Sequence, residues 1–196
     1  MTALTGIESK LRSALEALPR GLREHILRVE AEALRLAEMH GVDAERASLS
    51  ALGHDLVRHL PGEELLALAA RYGLQPDAIE RSEPILVHGP VAARMLVEDY
   101  GIEDAAIIDG VDCHTTARAG MAPLEQVLFV ADKVEPHKLE REPRMAMVRS
   151  KAESDLSAGV LEYLNWSIEK ALRKEWMLHP RTLEARNDLL GRHGTL

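Results

Sequence analysis

Residues 22–41 read LREHILRVEAEALRLAEMHG, and this stretch decides the fold. Leu22, Ile26, Val29, Ala33 and Leu36 recur at steps of three and four, which puts them on one stripe of a helix with 3.6 residues per turn. Gly41 closes the pattern as a C-terminal cap, because glycine enters the left-handed conformation without a steric cost. The same period returns on either side of later breaks. Asp43 is placed to N-cap a helix over ASLSALGHDLVRHL, which Pro61 ends. Further helices are expected over GEELLALAARY, over GPVAARMLVEDY before Gly101, over EDAAIIDGVDCH, and over LEQVLFVADKVE between Pro123 and Pro136. The last third offers one long amphipathic helix around VLEYLNWSIEKALRKEW and a final one in TLEARNDLL. Strand-like alternation is missing; only ILV before His88 is a candidate short strand. With no repeat, low-complexity segment or linker, the pattern predicts a single-domain, all-α helical bundle.

Composition narrows the function classes. A chain of 196 residues fits one domain, and 46% hydrophobic with 29% charged residues is ordinary for a globular protein. A net charge of -8 argues against a general nucleic-acid binder, whose affinity rests on clustered Lys and Arg. The lone Cys113 excludes an internal disulfide and fits a reducing cytoplasm. The N-terminal MTALTGIESKLRSALEALP carries Glu8 and no sustained apolar run, so it does not read as a signal peptide, and no segment reads as a membrane span. A cytoplasmic protein with no nucleic-acid or membrane partner is expected; homodimerisation stays open.

Several polar residues fall on inward stripes. His25 shares the face of Leu22, Val29, Ala33 and Leu36; alone it reads more readily as a hydrogen-bonded core histidine than as a ligand. His54 and Asp55 sit on the stripe of Ala44, Ala47, Ala51 and Arg58, where alanines let a neighbouring helix come close. Asp132 shares a face with Leu124, Leu128 and Ala131, a costly place for a carboxylate without a partner or a metal. His88 opens a helix, and His114 ends one on the Ile107 and Val111 face. Imidazole and carboxylate together suit iron, manganese or zinc, and six such ligands hold two ions if one carboxylate bridges them.

The order H, HD, H, H, D resembles the HD-domain phosphohydrolases. In detail the chain is similar to the YqeK-type branch, the bacterial symmetrical bis(5'-nucleosyl)-tetraphosphatases, which split diadenosine tetraphosphate into two ADP. The resemblance spans nearly the whole chain and is carried by HILRVEAEALRLAEMHGVD, ALGHDLVRHL, VHGPVAARML, HTTARAGM, LEQVLFVADKVEP and HPRTLEARNDLL. The HD pair is common to many phosphohydrolases; HTT followed by ADKVEP and HPRTLEARN is far more specific. The chain departs from the pattern at Arg58, where a lysine is usual, and at His137, Lys138 and Leu139, where a glycine and an arginine usually follow.

The resemblance implies an HD-type bundle with its metal-binding core at about 20–140 and C-terminal helices, about 143–196, packed on it. It implies catalytic metal ligation by His25, His54, Asp55 and Asp132 for one ion, with Asp55 bridging to a second held by His88 and His114. One or two transition-metal ions are expected, iron first, with manganese, cobalt or zinc as substitutes. Activated hydroxide would attack an inner phosphorus, and ADP leaves without a dedicated acid.

An acidic chain needs local positive charge to hold such an anionic nucleotide. From Lys133 to Lys151 six basic residues (Lys133, Lys138, Arg141, Arg144, Arg149, Lys151) face three acids (Glu135, Glu140, Glu142). Lys133 and Arg58 are the expected phosphate contacts, and Thr115 and Thr116 either donate to phosphate or cap a helix. Trp166 and Trp176 read as core or interface residues of the long C-terminal helix. Arg186 and Asn187 would buttress the site or touch substrate. Histidines 40, 59, 137, 179 and 193 read as structural or surface residues, His59 being nearest the site. Three alternatives remain: a phosphohydrolase of another nucleotide (monophosphate, cyclic nucleotide or alarmone), separable by a substrate panel; a non-enzymatic regulatory binder, which loss of ligands would favour; and an iron oxygenase, against which the HTT and ADKVEP signatures speak.

Overall fold

The computed structural model describes residues 3–192, so His193 lies outside the described residues. Twelve α-helices are found among them: α1 (Ala3–Leu15), α2 (Arg20–His40), α3 (Ala44–Gly53), α4 (Gly62–Arg71), α5 (Ala78–Ser82), α6 (His88–Glu98), α7 (Ala105–Cys113), α8 (Pro123–Val134), α9 (Pro136–Arg141), α10 (Arg144–Ser154), α11 (Leu156–Lys174) and α12 (Pro180–Arg192). No strand occurs among the described residues, and no helix there is long and apolar enough to cross a membrane. The expected all-α bundle is the architecture found.

Helix α8 is its axis. Every residue from Leu124 to Val134 is buried, because α2, α3, α7, α10 and α11 all pack against it. A helix surrounded on all sides reads apolar all round, which explains the run VLFVA and makes Asp132 and Lys133 within it conspicuous. Helix α2 lays Ile26, Val29, Ala33 and Leu36, all 0% exposed, on α3 and α8. It ends as expected at Gly41, φ 65°, whose N–H donates to the Ala37 carbonyl. Asp43 caps α3 by accepting from the Arg46 amide.

Two expectations are corrected. The segment before His88 is not a strand: Pro84–Val87 is a 3-10 turn, started by a proline whose fixed φ suits a first helical position. And α3 stops at Gly53, so the His54–Asp55 pair lies just beyond a helix end, not within one. The cause is local. His54 Nδ1 lies 2.6 Å from the Ala51 carbonyl, the acceptor that a continuing helix would offer to the Asp55 amide. The chain then proceeds through tight turns, Arg58 N to Asp55 O and Leu60 N to Val57 O, up to Pro61.

The C-terminal helices close the bundle. α11 packs on α10 and α8, and α12 on α11. α12 also clasps the end of α7 and the loop that follows it: Arg181 Nη1 pairs with Asp112 at 2.8 Å, the Thr182 hydroxyl donates to Thr116 O at 2.8 Å, and the Gly120 amide donates to Asp188 at 3.0 Å. The HPRTLEARN segment therefore holds the loop carrying His114.

Candidate metal centre

Five helices deliver six polar side chains to one buried spot. His25 comes from the middle of α2, His54 and Asp55 from the end of α3, His88 from the start of α6, His114 from the end of α7, and Asp132 from α8. All six are buried, His54 completely. Asp55 lies between two sets of donors. Its Oδ2 is 3.5 Å from His25 Nε2 and 3.5 Å from His54 Nε2, while its Oδ1 is 3.0 Å from His88 Nε2 and 3.5 Å from His114 Nε2. Asp132 Oδ1 joins the first set, 3.1 Å from His25 Nε2 and 3.9 Å from His54 Nε2.

Small residues make this convergence possible. At Gly89 a Cβ would lie 3.0 Å from the carbonyl oxygens of Val111 and Asp112 and 3.2 Å from the His114 ring. Only a glycine lets α6 approach α7 this closely, and the approach sets His88 beside His114. The turn after His114 ends at Ala117 with φ 61°, a left-handed conformation costing ~1–2 kcal/mol for a residue with a Cβ.

The hydrogen-bond pattern shows what the site is built to hold. His54, His88 and His114 each sit one residue past a helical segment, and each Nδ1 lies on the carbonyl three residues back, those of Ala51, Ile85 and Val111. A carbonyl accepts only, so Nδ1 carries the proton and Nε2 presents a bare lone pair to the centre. His25 follows the pattern with Nδ1 3.5 Å from Glu135 Oε1. Three imidazole lone pairs and two carboxylates then face one another, with His25 Nε2 beside both carboxylates. His88 Nε2 and His114 Nε2 are 3.0 Å apart, and Nε2 of His25 and of His54 are buried without a hydrogen-bond partner. Acceptors crowded in this way fit a cation between them, and each Nδ1 contact is the outer-shell support that metal-binding histidines usually have. Two donor groups fit a metal ion, His25 with His54 and Asp55, and Asp55 with His88 and His114.

Without an ion the electrostatics are divided. Burial pulls the His25 imidazole down, but Asp132 and Asp55 outweigh it and raise its pKa to about 9. His54, fully enclosed, is lowered by burial to about 3, and burial also lowers His114. Burial works to raise Asp55 and Asp132; the surrounding imidazoles for Asp55, and Lys133 and Lys138 for Asp132, hold both well below the usual carboxylate range. Asp132 is doubly clamped, with Lys133 Nζ 2.5 Å from Oδ2 and Lys138 Nζ 2.6 Å from Oδ1.

Asp55, His88, His114 and Asp132 form the floor of a cavity of 580 Å³, within the range of small-molecule sites. Arg58, Lys133, Lys138 and Arg141 contribute positive charge to its wall. Lys133 is largely engaged, since it also donates to the His114 carbonyl at 3.1 Å. The Thr115 hydroxyl reaches the rim, 3.3 Å from His114 Nε2. Thr116 is not brought there: its hydroxyl donates to the Ala117 carbonyl, and it serves the turn. His59, exposed, borders a smaller recess with His25 and Arg58. Arg186 donates to Asn165 at 2.6 Å and Asn187 is exposed; neither lines the cavity. His40 Nε2 reaches the Ala152 carbonyl at 2.7 Å, and His137 is exposed.

Sequence reasoning passed over two features. Glu135, 2% exposed, joins Arg28 at 2.6 Å to His25 Nδ1, three residues beyond Asp132 in the same ADKVEP motif. Trp166 and Trp176, expected in the core or an interface, line the cavity instead, and Trp176 lies past the end of α11. A second cluster, Asp77 with Glu80 and His179, looks similar but differs in one atom. There Nδ1 of His179 accepts from the Arg181 amide at 3.2 Å, which leaves the proton on Nε2 and no lone pair for a metal.

The HD domain family matches residues 22–137. A Halalkalibacterium halodurans protein named bis(5'-nucleosyl)-tetraphosphatase, symmetrical, is 32% identical over 85% of this chain and 88% of its own. A Bacillus subtilis protein of the same name is 31% identical over the same shares. The crystal structure of a predicted HD superfamily hydrolase involved in NAD metabolism, from Clostridium acetobutylicum, superposes with a TM-score of 0.88 at 29% identity, covering 94% of this chain and 97% of that one. With its H, HD, H, H, D residues gathered in one buried cluster, the chain belongs to the HD-domain family, in the branch of the symmetrical bis(5'-nucleosyl)-tetraphosphatases.

Proposed function

We propose that this protein is a metal-dependent hydrolase that cleaves diadenosine tetraphosphate, and related dinucleoside polyphosphates, symmetrically into two nucleoside diphosphates. The observation that carries the reading is Asp55, which offers one carboxylate oxygen to each of two histidine sets at the floor of a cation-walled cavity. His25, His54, Asp55 and Asp132 would hold one ion, and Asp55, His88 and His114 a second. Bound ions of this kind supply charge stabilisation at the phosphoryl oxygens and a water of lowered pKa. The all-nitrogen-and-oxygen donor set suits iron, manganese, cobalt or zinc alike, and the family resemblance puts iron first.

The remaining work falls to the chain's own residues. Arg58, Lys138 and Arg141 line the approach and neutralise the phosphate chain, Arg58 as a planar fork able to hold two oxygens at once. Lys133 fixes Asp132, and Thr115 presents a hydroxyl beside His88 and His114. With the phosphate chain held in line, a water oxygen would bond to one inner phosphorus as its bridging P–O bond breaks: one ADP carries the new oxygen, the other departs with the bridging oxygen without needing a proton donor, and the water's protons pass to solvent. Positioning and electrostatics then carry most of the rate. The same reading takes the chain as one domain, a metal-binding core at about 20–140 with the later helices packed on it. It also takes the protein as cytoplasmic, in keeping with the unpaired Cys113.

The test is turnover of diadenosine tetraphosphate by the purified, metal-analysed protein, with products resolved by anion exchange. ADP alone, lost in Asp55→Ala, supports the reading. AMP with ATP rejects cleavage at the midpoint, and no turnover by fully metallated protein rejects this substrate.

A further inference from the structure

The cavity lining is of two kinds: the buried cluster with its lysines and arginines, and an apolar set of Ile85, Met145, Tyr163, Trp166 and Trp176. The chain has only six aromatic residues of the Phe, Tyr and Trp type in all. Three of them standing in one wall, beside a proposed phosphate site, is a concentration that the core does not require.

Their settings differ in a telling way. Tyr163 packs edge-on against Phe129 and leans on Trp166, both at 5.4 Å between centroids. Its hydroxyl makes no hydrogen bond among the described residues. Trp166 is steadied by Lys170, whose Nζ lies 4.6 Å from the ring centroid. Trp176 is held by its backbone alone. Glu175 ends α11 in the left-handed conformation at φ 55°, and the Trp176 amide donates to the Ala171 carbonyl at 3.0 Å. Its indole makes no ring contact among the described residues, and it is 59% exposed while lining the cavity. Such exposure of a tryptophan leaves apolar surface in water that a flat ligand would cover.

We propose that Trp176, which lines the same cavity as Trp166 and Tyr163, is the stacking platform for one nucleobase of the substrate. The cavity thus takes one nucleoside diphosphate half, base on the indole and phosphates toward Asp55 and Lys138. A stacked base is read by its π-face and not by its edge pattern, so adenine and guanine are both accepted. This inference rests on the proposed function, since that reading supplies the nucleotide.

The experiment titrates metal-loaded, full-length protein with ADP and with inorganic pyrophosphate, in wild type, Trp176→Ala and Trp176→Phe. Trp176→Ala is expected to weaken ADP by about tenfold or more and leave pyrophosphate within about twofold, while Trp176→Phe keeps most of the ADP affinity. In a Trp166→Phe background, ADP quenches the remaining indole fluorescence and pyrophosphate does not. Unchanged ADP affinity in Trp176→Ala, or equal weakening of both ligands, overturns the platform. The two readings fail separately: diadenosine tetraphosphate cleaved to ADP with an unchanged KM in Trp176→Ala removes the platform alone, and base-dependent binding without cleavage removes the hydrolase alone.

Discussion

The Nε2 atoms of His88 and His114 lie 3.0 Å apart, and in both rings the other nitrogen is tied to a backbone carbonyl. Neither facing nitrogen can carry a proton in the neutral ring, so the pair is a contact between two lone pairs. Only a cation makes it favourable, and Asp55 Oδ1 at 3.0 Å from His88 gives that cation a carboxylate.

Asp55 and Asp132 should behave differently when removed. Asp55→Ala takes an oxygen from both donor sets and is expected to leave the purified protein with neither ion; Asp132→Ala strips the His25 set alone and leaves roughly one ion per chain. Elemental analysis of the two variants at equal protein concentration checks this. Equal metal content in both would argue against Asp55 as the bridge.

Support from outside the cluster is also testable. Glu135 pairs with Arg28 and faces His25 Nδ1, so Glu135→Gln should weaken metal binding on the order of 10- to 100-fold with the helical circular-dichroism spectrum unchanged. Competition with a metal chelator reads the affinity. An unaltered affinity would reduce Glu135 to a buried tie for Arg28.

Metal uptake should release a proton from His25. Its pKa of about 9 in the ion-free chain means that at pH 7 the ring is protonated, and a ligand must be neutral. Calorimetric titration in buffers of differing ionisation enthalpy should therefore give about one proton released per chain at pH 7, falling toward zero as pH rises past about 9. A count near zero at pH 7 would mean that His25 is neutral before the metal arrives.

Close approach of two helices governs half of the site. At Gly89 an added methyl meets two backbone carbonyls that cannot swing aside, so Gly89→Ala should push α6 from α7 and empty the His88–His114 position while the His25 set keeps its ion. Metal stoichiometry decides, and two ions in this variant would show that the approach is not required.

Cys113 serves as a probe of the closed fold. Burial first, then the nearby Glu125, pushes its thiol far up, and it is 0% exposed. A disulfide reagent should leave it unmodified in native protein and react with it fully in denaturant. Fast reaction without denaturant would show that the α7–α8 contact opens readily.

How far the sequence reaches depends on how each residue is surrounded. α2 and α8 were legible because every third or fourth residue is apolar and a cap or proline bounds them. α10 was not, since Met145, Val148 and Ala152 are its only buried residues and Arg144, Arg149 and Lys151 break up the stripe. His25, Asp55 and Asp132 stood out as polar residues on apolar faces. The cavity's aromatic wall did not, because Tyr163 and Trp166 at amphipathic spacing look the same whether they face a core or a cavity. The end of α3 at Gly53 was hidden for a different reason: His54 closes it through its side chain, and no glycine–proline signal marks the place.

Six side chains forming one two-ion centre around Asp55 would be seen in anomalous scattering from crystals of the metal-loaded protein. Two peaks per chain are predicted, one at Asp55 Oδ2 among His25, His54 and Asp132, the other at Oδ1 between His88 and His114. A single peak, or ions found only away from Asp55, would contradict it.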